Sequence, residues 1–206
     1  MRERPILLNG PMVNAALDGS KTQTRRLVKG FALELLQPGN FTPEYVALPE
    51  NGLSPFGFAG DRLWVRETWQ HSNHPLGPYD DDCLVFYRAD YLDDPLGPDL
   101  ERSPDGIRRQ WRPSIHMPRA AARTLLDVTS VRIERLNSIS DEDCIAEGIG
   151  LNGSAAGVMF SARDDDTLPR AMYRDLWESI YGIGSWSENP WVWVGGFERV
   201  DGAEGA

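Results

Sequence analysis

The chain has 206 residues, of which 31 are acidic and 21 are basic, so its formal net charge is −10. A chain of this length buries one proper core, which predicts a single domain over residues 1–200 and a frayed tail at 201–206. The negative charge argues against a long DNA duplex as partner, because nonspecific nucleic-acid affinity comes mainly from phosphate neutralisation. A local basic pocket for a small nucleotide-like ligand stays compatible with it.

Composition also predicts the compartment. No apolar run is long enough for a transmembrane helix or a signal peptide, so no membrane association is expected. Two cysteines, Cys83 and Cys144, form no disulfide framework and fit a reducing cytoplasm. His71 and His74 lack a third ligand nearby. We therefore expect neither a metal nor a cofactor.

The first half of the chain mixes short helices and strands. Apolar spacing predicts a helix over residues 12–17, which Gly19 ends. Further predicted elements are a strand over 22–28, a short helix over 31–36, a strand that runs from the Gly60-Asp61 turn to Trp69, and a strand over 83–87.

In the second half, residues 111–119 are expected to be extended or in a turn, and residues 123–136 form a long strand with a bulge near Ser130. A capping box predicts a helix from Ser140 to Gly148. A loop at 150–157 precedes a second helix that ends at Gly182. Its predicted buried stripe is Leu168, Met172, Leu176, Trp177 and Ile180. The final strand, 190–200, is predicted to be interrupted by Gly195-Gly196. Together these elements predict an α+β domain built on a small, strongly bent β-barrel.

The stretch Gly19-Ser-Lys-Thr-Gln-Thr-Arg-Arg26 concentrates polar groups after the first helix. Only Lys21 and Lys29 among the basic residues are lysines. A desolvated amine can lose its proton and act as a base, whereas a guanidinium cannot. This favours a chemical role for Lys21, and a simple polar edge strand is the alternative.

Arginines and tryptophans alternate at two places. Trp64 precedes Arg66, and Trp111 precedes Arg112. An aromatic ring beside a guanidinium forms a cradle for a nucleobase, although a thick core covered by arginine stems gives the same pattern. His116 fits a structural or pocket histidine better than a catalytic base. The candidate substrate-binding residues are Arg26, Trp64, Arg66, Glu67, Trp111 and His116.

The pattern Gly19-x-Lys21-Thr22-x-Thr24-x-Arg26, followed by Gly60-Asp61-Arg62-Leu63, resembles the ASCH domain of the PUA-like β-barrel group. Residues 139–148 are similar to the later helix of that family, and Trp193-Val194-x-x-Phe197 is similar to its closing strand. Residues 64–69 and 111–118 resemble the larger phage- and prophage-borne branch. Stretches 30–58, 70–110 and 150–166 lie outside the resemblance and are interpreted as insertions.

The resemblance implies a function. Compact bacterial members include amidohydrolases that remove the acetyl group from N-acetylcytidine with a Lys, a Thr and a Glu, roles that fall on Lys21, Thr24 and Glu147. Thr24 would attack the acyl carbonyl, Lys21 would accept the hydroxyl proton, and Glu147 would donate to the departing amine. These roles need a lowered pKa for Lys21 and a raised one for Glu147. Because strand positions three apart face opposite sides, Lys21 must lie at the bent entrance of the strand.

Other PUA-like relatives bind RNA or modified bases without catalysis. A non-catalytic reader of a modified nucleotide or RNA end, of phage or prophage origin, is therefore the alternative hypothesis. Its recognition groups would be Trp64, Arg66 and Trp111. An accessory protein that acts through the inserted loops is the third.

Overall fold

The computed structural model describes residues 1–74, 76–92, 110–149 and 167–200. The strands are β1 (Glu3–Leu7), β2 (Gln23–Leu27), β3 (Arg62–Arg66), β4 (Trp69–His71), β5 (Val85–Tyr87), β6 (Leu125–Arg135) and β7 (Trp191–Arg199). The helices are α1 (Gly10–Leu17), α2 (Phe31–Leu35), α3 (Pro43–Val46), α4 (Asp141–Ala146) and α5 (Leu168–Tyr181). The predicted loop at 150–157 and the tail at 201–206 lie outside the described residues.

Five strands form one sheet in the order β1-β3-β6-β7-β2, while β4 and β5 form a separate pair. Strands β1 and β3 are parallel, and the other pairs are antiparallel. The edge strands β1 and β2 are connected by a side chain, because Arg26 Nη2 donates to the carbonyl of Leu7 at 2.9 Å. The predicted α+β class is confirmed, and the described backbone pairs form an open sheet.

The two faces of the sheet pack against different helices. Strand β7 shows the alternation, since Trp193 joins one core and Val194 the other. The first core includes Val13 of α1, and the second includes Tyr173 and Trp177 of α5. The described helices include none that is long and apolar enough to cross a membrane.

Two local predictions are confirmed. The side chain of Ser140 caps α4 by accepting the backbone N–H of Asp143, as the capping box predicts. The side chain of Asn9 caps α1 in the same way, although the sequence was not interpreted to place a cap there. The register of β6 against β7 shifts between Val128 and Ser130, which is the predicted bulge.

The predicted strand from residue 62 to Trp69 was wrong in extent. Strand β3 ends at Arg66, and the next residues pair in the small β4–β5 sheet. The break occurs because the N–H of Glu67 contacts the sulfur of Met117, and that of Trp69 bonds the carbonyl of Arg112. Both N–H groups therefore leave the ladder of β3.

The predicted stripe of α5 was also partly wrong. Leu168 and Ile180 are 44% and 51% exposed, whereas Ala171 and Tyr173 are buried. The helix faces a polar cluster under the sheet, so its buried side includes groups that hydrophobic periodicity does not mark. Strand β1 was not predicted from the sequence. It contains Pro5, which an edge strand such as β1 tolerates.

Strand β7 is continuous, which corrects the interruption predicted at Gly195-Gly196. The glycines serve close packing instead. A Cβ atom on Gly195 would lie 2.6 Å from the ring of Phe56, which is itself buried. The missing side chain therefore lets Phe56 pack directly on the strand.

We expect Gly195→Ala to lower the free energy of unfolding by about 1–3 kcal/mol, because the ring of Phe56 must move inside a packed core. Chemical denaturation measures the loss. The double variant Gly195→Ala/Phe56→Leu should recover part of it, and additive losses in the double variant would contradict the contact.

Candidate functional site

Lys21 lies where three elements meet, just before β2. Its backbone N–H donates to Ala15 of α1, and the next N–H, of Thr22, donates to Ala146 of α4, both at 2.8 Å. Lys21 and Glu147 form an isolated antiparallel bridge. The strand entrance is therefore attached to the ends of two helices, and the Lys21 side chain is fully buried beneath it.

The Lys21 ammonium has three acceptors. Nζ lies 2.8 Å from the carbonyl oxygen of Gln23, 2.7 Å from that of Glu147 and 3.0 Å from Glu147 Oε2. A neutral amine carries two N–H bonds, so three acceptors match the protonated form. The resting state of Lys21 in this geometry is the ammonium ion.

Glu147 is held from both sides, immediately after α4. Its Oε2 accepts from Lys21, and its Oε1 accepts from Arg25 Nη1 at 3.0 Å. The carboxylate therefore makes two buried ion pairs, one through each oxygen. The predicted role of Glu147 as a proton donor requires the acid form instead of this ion-paired carboxylate.

Arg25 extends the pair into a network. Its Nη2 lies 2.7 Å from Glu134 and 2.8 Å from Asp143, and Arg132 contacts the same two carboxylates. The network thus contains three basic and three acidic side chains, so its formal charges cancel. The basic residues are Lys21, Arg25 and Arg132, and the acidic ones are Glu147, Glu134 and Asp143. The guanidinium of Arg25 has no exposed surface, and such a buried charge requires these partners.

The network shifts several pKa values. Burial lowers the pKa of Lys21 below its ordinary value, opposed by Glu147 and assisted by Arg26 and Arg25. Burial, together with the Glu147 charge, raises the pKa of Tyr173 well above its usual range, so its phenol stays neutral. Among these groups, Lys21 is therefore a cation that burial makes easier to deprotonate than an exposed lysine, while Glu147 acts in the opposite direction.

Thr24 belongs to a different set of contacts. Its side chain is completely buried, and its Oγ1 accepts from Arg26 Nη1 at 2.9 Å. Gln23 and Arg25 alternate with it and bond Asp143 on the α4 side. Within the described residues, Thr24 Oγ1 makes no hydrogen bond to Lys21 or Glu147. The structure brings Lys21 and Glu147 together and leaves Thr24 beside Arg26.

A small cavity of about 20 Å³ adjoins the network. Its polar lining is Glu147, Arg25 and Arg26, and its remaining walls are Met12, Tyr173, Leu176, Trp177, Ile180 and Tyr181. The ring centroids of Trp177 and Tyr181 lie 4.2 Å apart. This volume holds about one water molecule. The rings of α5 must therefore move before a nucleoside can reach Glu147.

The predicted tryptophan–arginine cradle forms elsewhere. The guanidinium of Arg66 lies 5.0 Å from the Trp64 ring centroid, and its Nε donates to the carbonyl of Met117. Glu67 is buried and receives two hydrogen bonds from Arg123, at 3.0 and 3.1 Å. Burial raises the pKa of Glu67, although Arg123 opposes the shift.

Trp111 and His116 lie further along the same side. Trp111 is half-buried, with its ring 6.0 Å from that of Tyr91, and His116 is exposed in a short 3-10 turn. In the part of the chain that the structure describes, neither group contacts Lys21 or Glu147. The predicted site residues thus form two groups.

The candidate site residues predicted from the sequence did not include Arg25, Glu134 or Asp143. The signal that could have found Arg25 is its two-residue spacing from Gln23, which places both on one face of β2. Glu134 and Asp143 carry no comparable local signal, since they meet Arg25 only through the tertiary fold.

Over the described ranges, no group of three His, Cys, Asp or Glu side chains is arranged to hold a metal ion. His71 is buried, and its Nε2 lies 2.9 Å from Arg112 Nη1. The absence of a metal or cofactor stays a prediction.

No family model matches the sequence, and no curated protein matches it either. A solved structure that is similar to this chain is that of the ASCH domain from Lactobacillus crispatus JV V101. The two share 12% identity with a TM-score of 0.41, and the alignment covers 96% of this chain and 79% of that one. At this level the likeness assigns neither a family nor an activity. The site is therefore interpreted from its own geometry.

The network should make stability depend on pH. Partial burial raises the pKa of Asp143, but the hydrogen bond from Gln23 and the charges of Arg25 and Arg132 outweigh it, so the pKa lies below its ordinary value. A depressed carboxyl pKa stabilises the fold above the unfolded pKa of about 3.9, and this stabilisation is lost as pH falls through the folded value.

We therefore expect Asp143→Asn to destabilise the protein at pH 7, with a penalty that shrinks as pH falls below about 4. Urea denaturation at several pH values measures it. Asp82→Asn, a change of the same type at an exposed loop position, is the control and should cost little at any pH. A penalty for Asp143→Asn that stays constant down to pH 2.5 would contradict the network.

Proposed function

We propose that the protein is an amidohydrolase that removes an acyl group from the exocyclic amine of a modified cytidine or related nucleoside. The observation that carries the proposal is the contact of 3.0 Å between the buried Lys21 ammonium and Glu147, beside a cavity walled by aromatic rings. In the same proposal, the sheet is the bent barrel of a PUA-like ASCH domain, and Arg26 connects its two edge strands.

The pair can supply both a base and an acid. Transfer of one proton from Lys21 Nζ to Glu147 Oε2, along their hydrogen bond, converts the ion pair into an amine and a carboxylic acid. Burial favours this neutral pair, whereas Arg25 opposes it by binding Glu147 Oε1. The two forms that amide cleavage requires are therefore one proton transfer from the resting state.

Thr24 is suited to be the nucleophile once Lys21 approaches it. The guanidinium of Arg26 donates to Thr24 Oγ1, so it stabilises negative charge on that oxygen and leaves the hydroxyl proton available. The proton passes to the Lys21 amine as Oγ1 bonds the acyl carbon, and Glu147 protonates the departing amine. Water then cleaves the ester, which releases the carboxylic acid and restores Thr24.

Recognition fits the same cavity. The rings of Tyr173 and Trp177 offer planar surfaces on which a base can stack, and Glu147 and Arg25 offer an acceptor and a donor for its polar edge. These groups replace Trp64 and Trp111 as the proposed base-binding rings.

A specific observation favours the second candidate, a reader that binds a modified nucleoside or an RNA end without turnover. Every N–H of the Lys21 ammonium is already engaged, and Thr24 makes no hydrogen bond to it. A reader tolerates this arrangement, whereas the enzyme requires it to change when substrate binds.

Incubation of the protein with N-acetylcytidine should release cytidine and acetate. Chromatography of the reaction mixture measures both products. Thr24→Val has nearly the same shape without the hydroxyl and should reduce the rate about 100-fold or more, on the scale of losing a positioned catalytic group. Thr22→Val is the matched control, because Thr22 is exposed, and it should retain activity. Binding of N-acetylcytidine by wild-type protein with no cytidine released would favour the reader.

We further expect Tyr181→Ala to raise the affinity for cytidine about threefold or more, because it increases the fraction of molecules with an accessible cavity. Leu168→Ala, on the exposed side of the same helix, is the control. Calorimetric titration measures both, beside thermal melts that check folding. If the folded Tyr181→Ala protein binds cytidine with unchanged or weaker affinity, the Tyr181 ring is not what blocks access to the cavity.

A further inference from the structure

A second concavity lies at the other end of β2, away from Lys21. It has a volume of about 530 Å³ and is bordered by the end of β2, by α2 and by the start of β7. Pockets for small organic ligands typically occupy about 300–1,000 Å³. This groove therefore has the size of a ligand site in the conformation described, unlike the closed cavity beside Glu147.

The groove has both apolar and polar walls. Its non-polar lining residues are Leu27, Val28, Leu33, Leu36, Pro38, Pro190 and Trp191. Its polar lining residues are Lys29, Gln37, Arg135 and Glu188. Apolar surface for packing, together with polar groups that fix the orientation of a ligand, is typical of a small-molecule site.

The charges of the lining favour an anion. Lys29 is exposed after β2, and Arg135 is exposed at the end of β6, where its Nη1 donates to the carbonyl of Asn189. Among the described residues, neither forms an ion pair with a carboxylate. Glu188 is the single acidic lining residue. Two cations and one carboxylate thus line the groove, which gives it a positive balance in a chain whose net charge is −10.

Two groups that can stack on an aromatic ligand lie together in this groove. The guanidinium of Arg135 lies over the Trp191 ring, 4.1 Å from its centroid. Guanidinium and indole planes both stack on aromatic rings. A flexible alkyl chain would gain no comparable stacking from them.

We propose that this groove binds a planar aromatic anion of the size of a nucleoside monophosphate. The ring packs against the surface formed by Trp191 and Arg135, and the anionic group lies between Lys29 and Arg135. This site is separate from the Lys21–Glu147 cavity and does not depend on the function proposed for it.

Titration calorimetry with adenosine monophosphate tests the proposal. Adenosine and ribose 5-phosphate are titrated separately, because they represent the aromatic half and the anionic half of the nucleotide. We expect one molecule of the nucleotide to bind per chain, more tightly than either half. Octanoate serves as an anion without a ring. Tighter binding of octanoate than of the nucleotide, or no nucleotide binding, overturns the proposal.

Variants place the binding in the groove. Lys29→Ala and Arg135→Gln should each weaken nucleotide binding about tenfold, the effect of one lost charge-assisted contact, and Glu188→Gln should strengthen it. Arg2→Gln, an equal charge change at an exposed position outside the groove, should have no effect. Unchanged affinity in the folded Lys29→Ala/Arg135→Gln double variant would overturn the assignment. Release of acetate from N-acetylcytidine is assayed separately, so failure of one proposal leaves the other standing.

Discussion

The rest of the structure depends on the buried ion pair of Lys21 and Glu147. Both groups lie inside the protein, where an unpaired charge is unfavourable, and removal of one partner of such a pair costs about 3–5 kcal/mol. The pair also connects the end of α1, the entrance of β2 and the end of α4 through adjoining backbone hydrogen bonds. A group of residues that resembles a catalytic motif is therefore also a structural junction.

In the proposed reaction, the same constraint determines the chemistry. Charge balance across Lys21, Arg25 and Glu147 stabilises the ionised resting state, whereas cleavage requires the neutral forms of Lys21 and Glu147. The aromatic rings of α5 keep bulk water from the pair and thereby strengthen each electrostatic contact. Reactivity then depends on a ligand that displaces those rings and takes over some hydrogen bonds of the resting network.

Sequence patterns predicted the features that depend on neighbours in the chain. The cap of α4 by Ser140 and the bulge near Ser130 follow from local hydrogen-bonding chemistry and from alternation. The contact between Lys21 and Glu147 joins residues far apart in sequence, and family resemblance had placed both in one site. Their catalytic roles stay predictions.

Features that depend on residues far apart in the chain could not be predicted from local sequence patterns. Strand β3 lies between β1 and β6, a pairing that no local pattern specifies. The buried face of α5 includes Tyr173 because it covers Arg25 and Glu147, so hydrophobic periodicity identified only part of that face. Gly195 resembled a strand break, since its contact with Phe56 arises only in the folded protein.

The central claim is that a cytidine-type base binds next to Glu147 under α5. A crystal structure of the protein with cytidine, the product of the proposed reaction, tests it most directly. The account predicts that the exocyclic amine lies within hydrogen-bond distance of Glu147 and that the rings of Trp177 and Tyr181 are displaced. Cytidine bound in the groove at Trp191, or beside Trp64 and Arg66 with α5 unchanged, would contradict it.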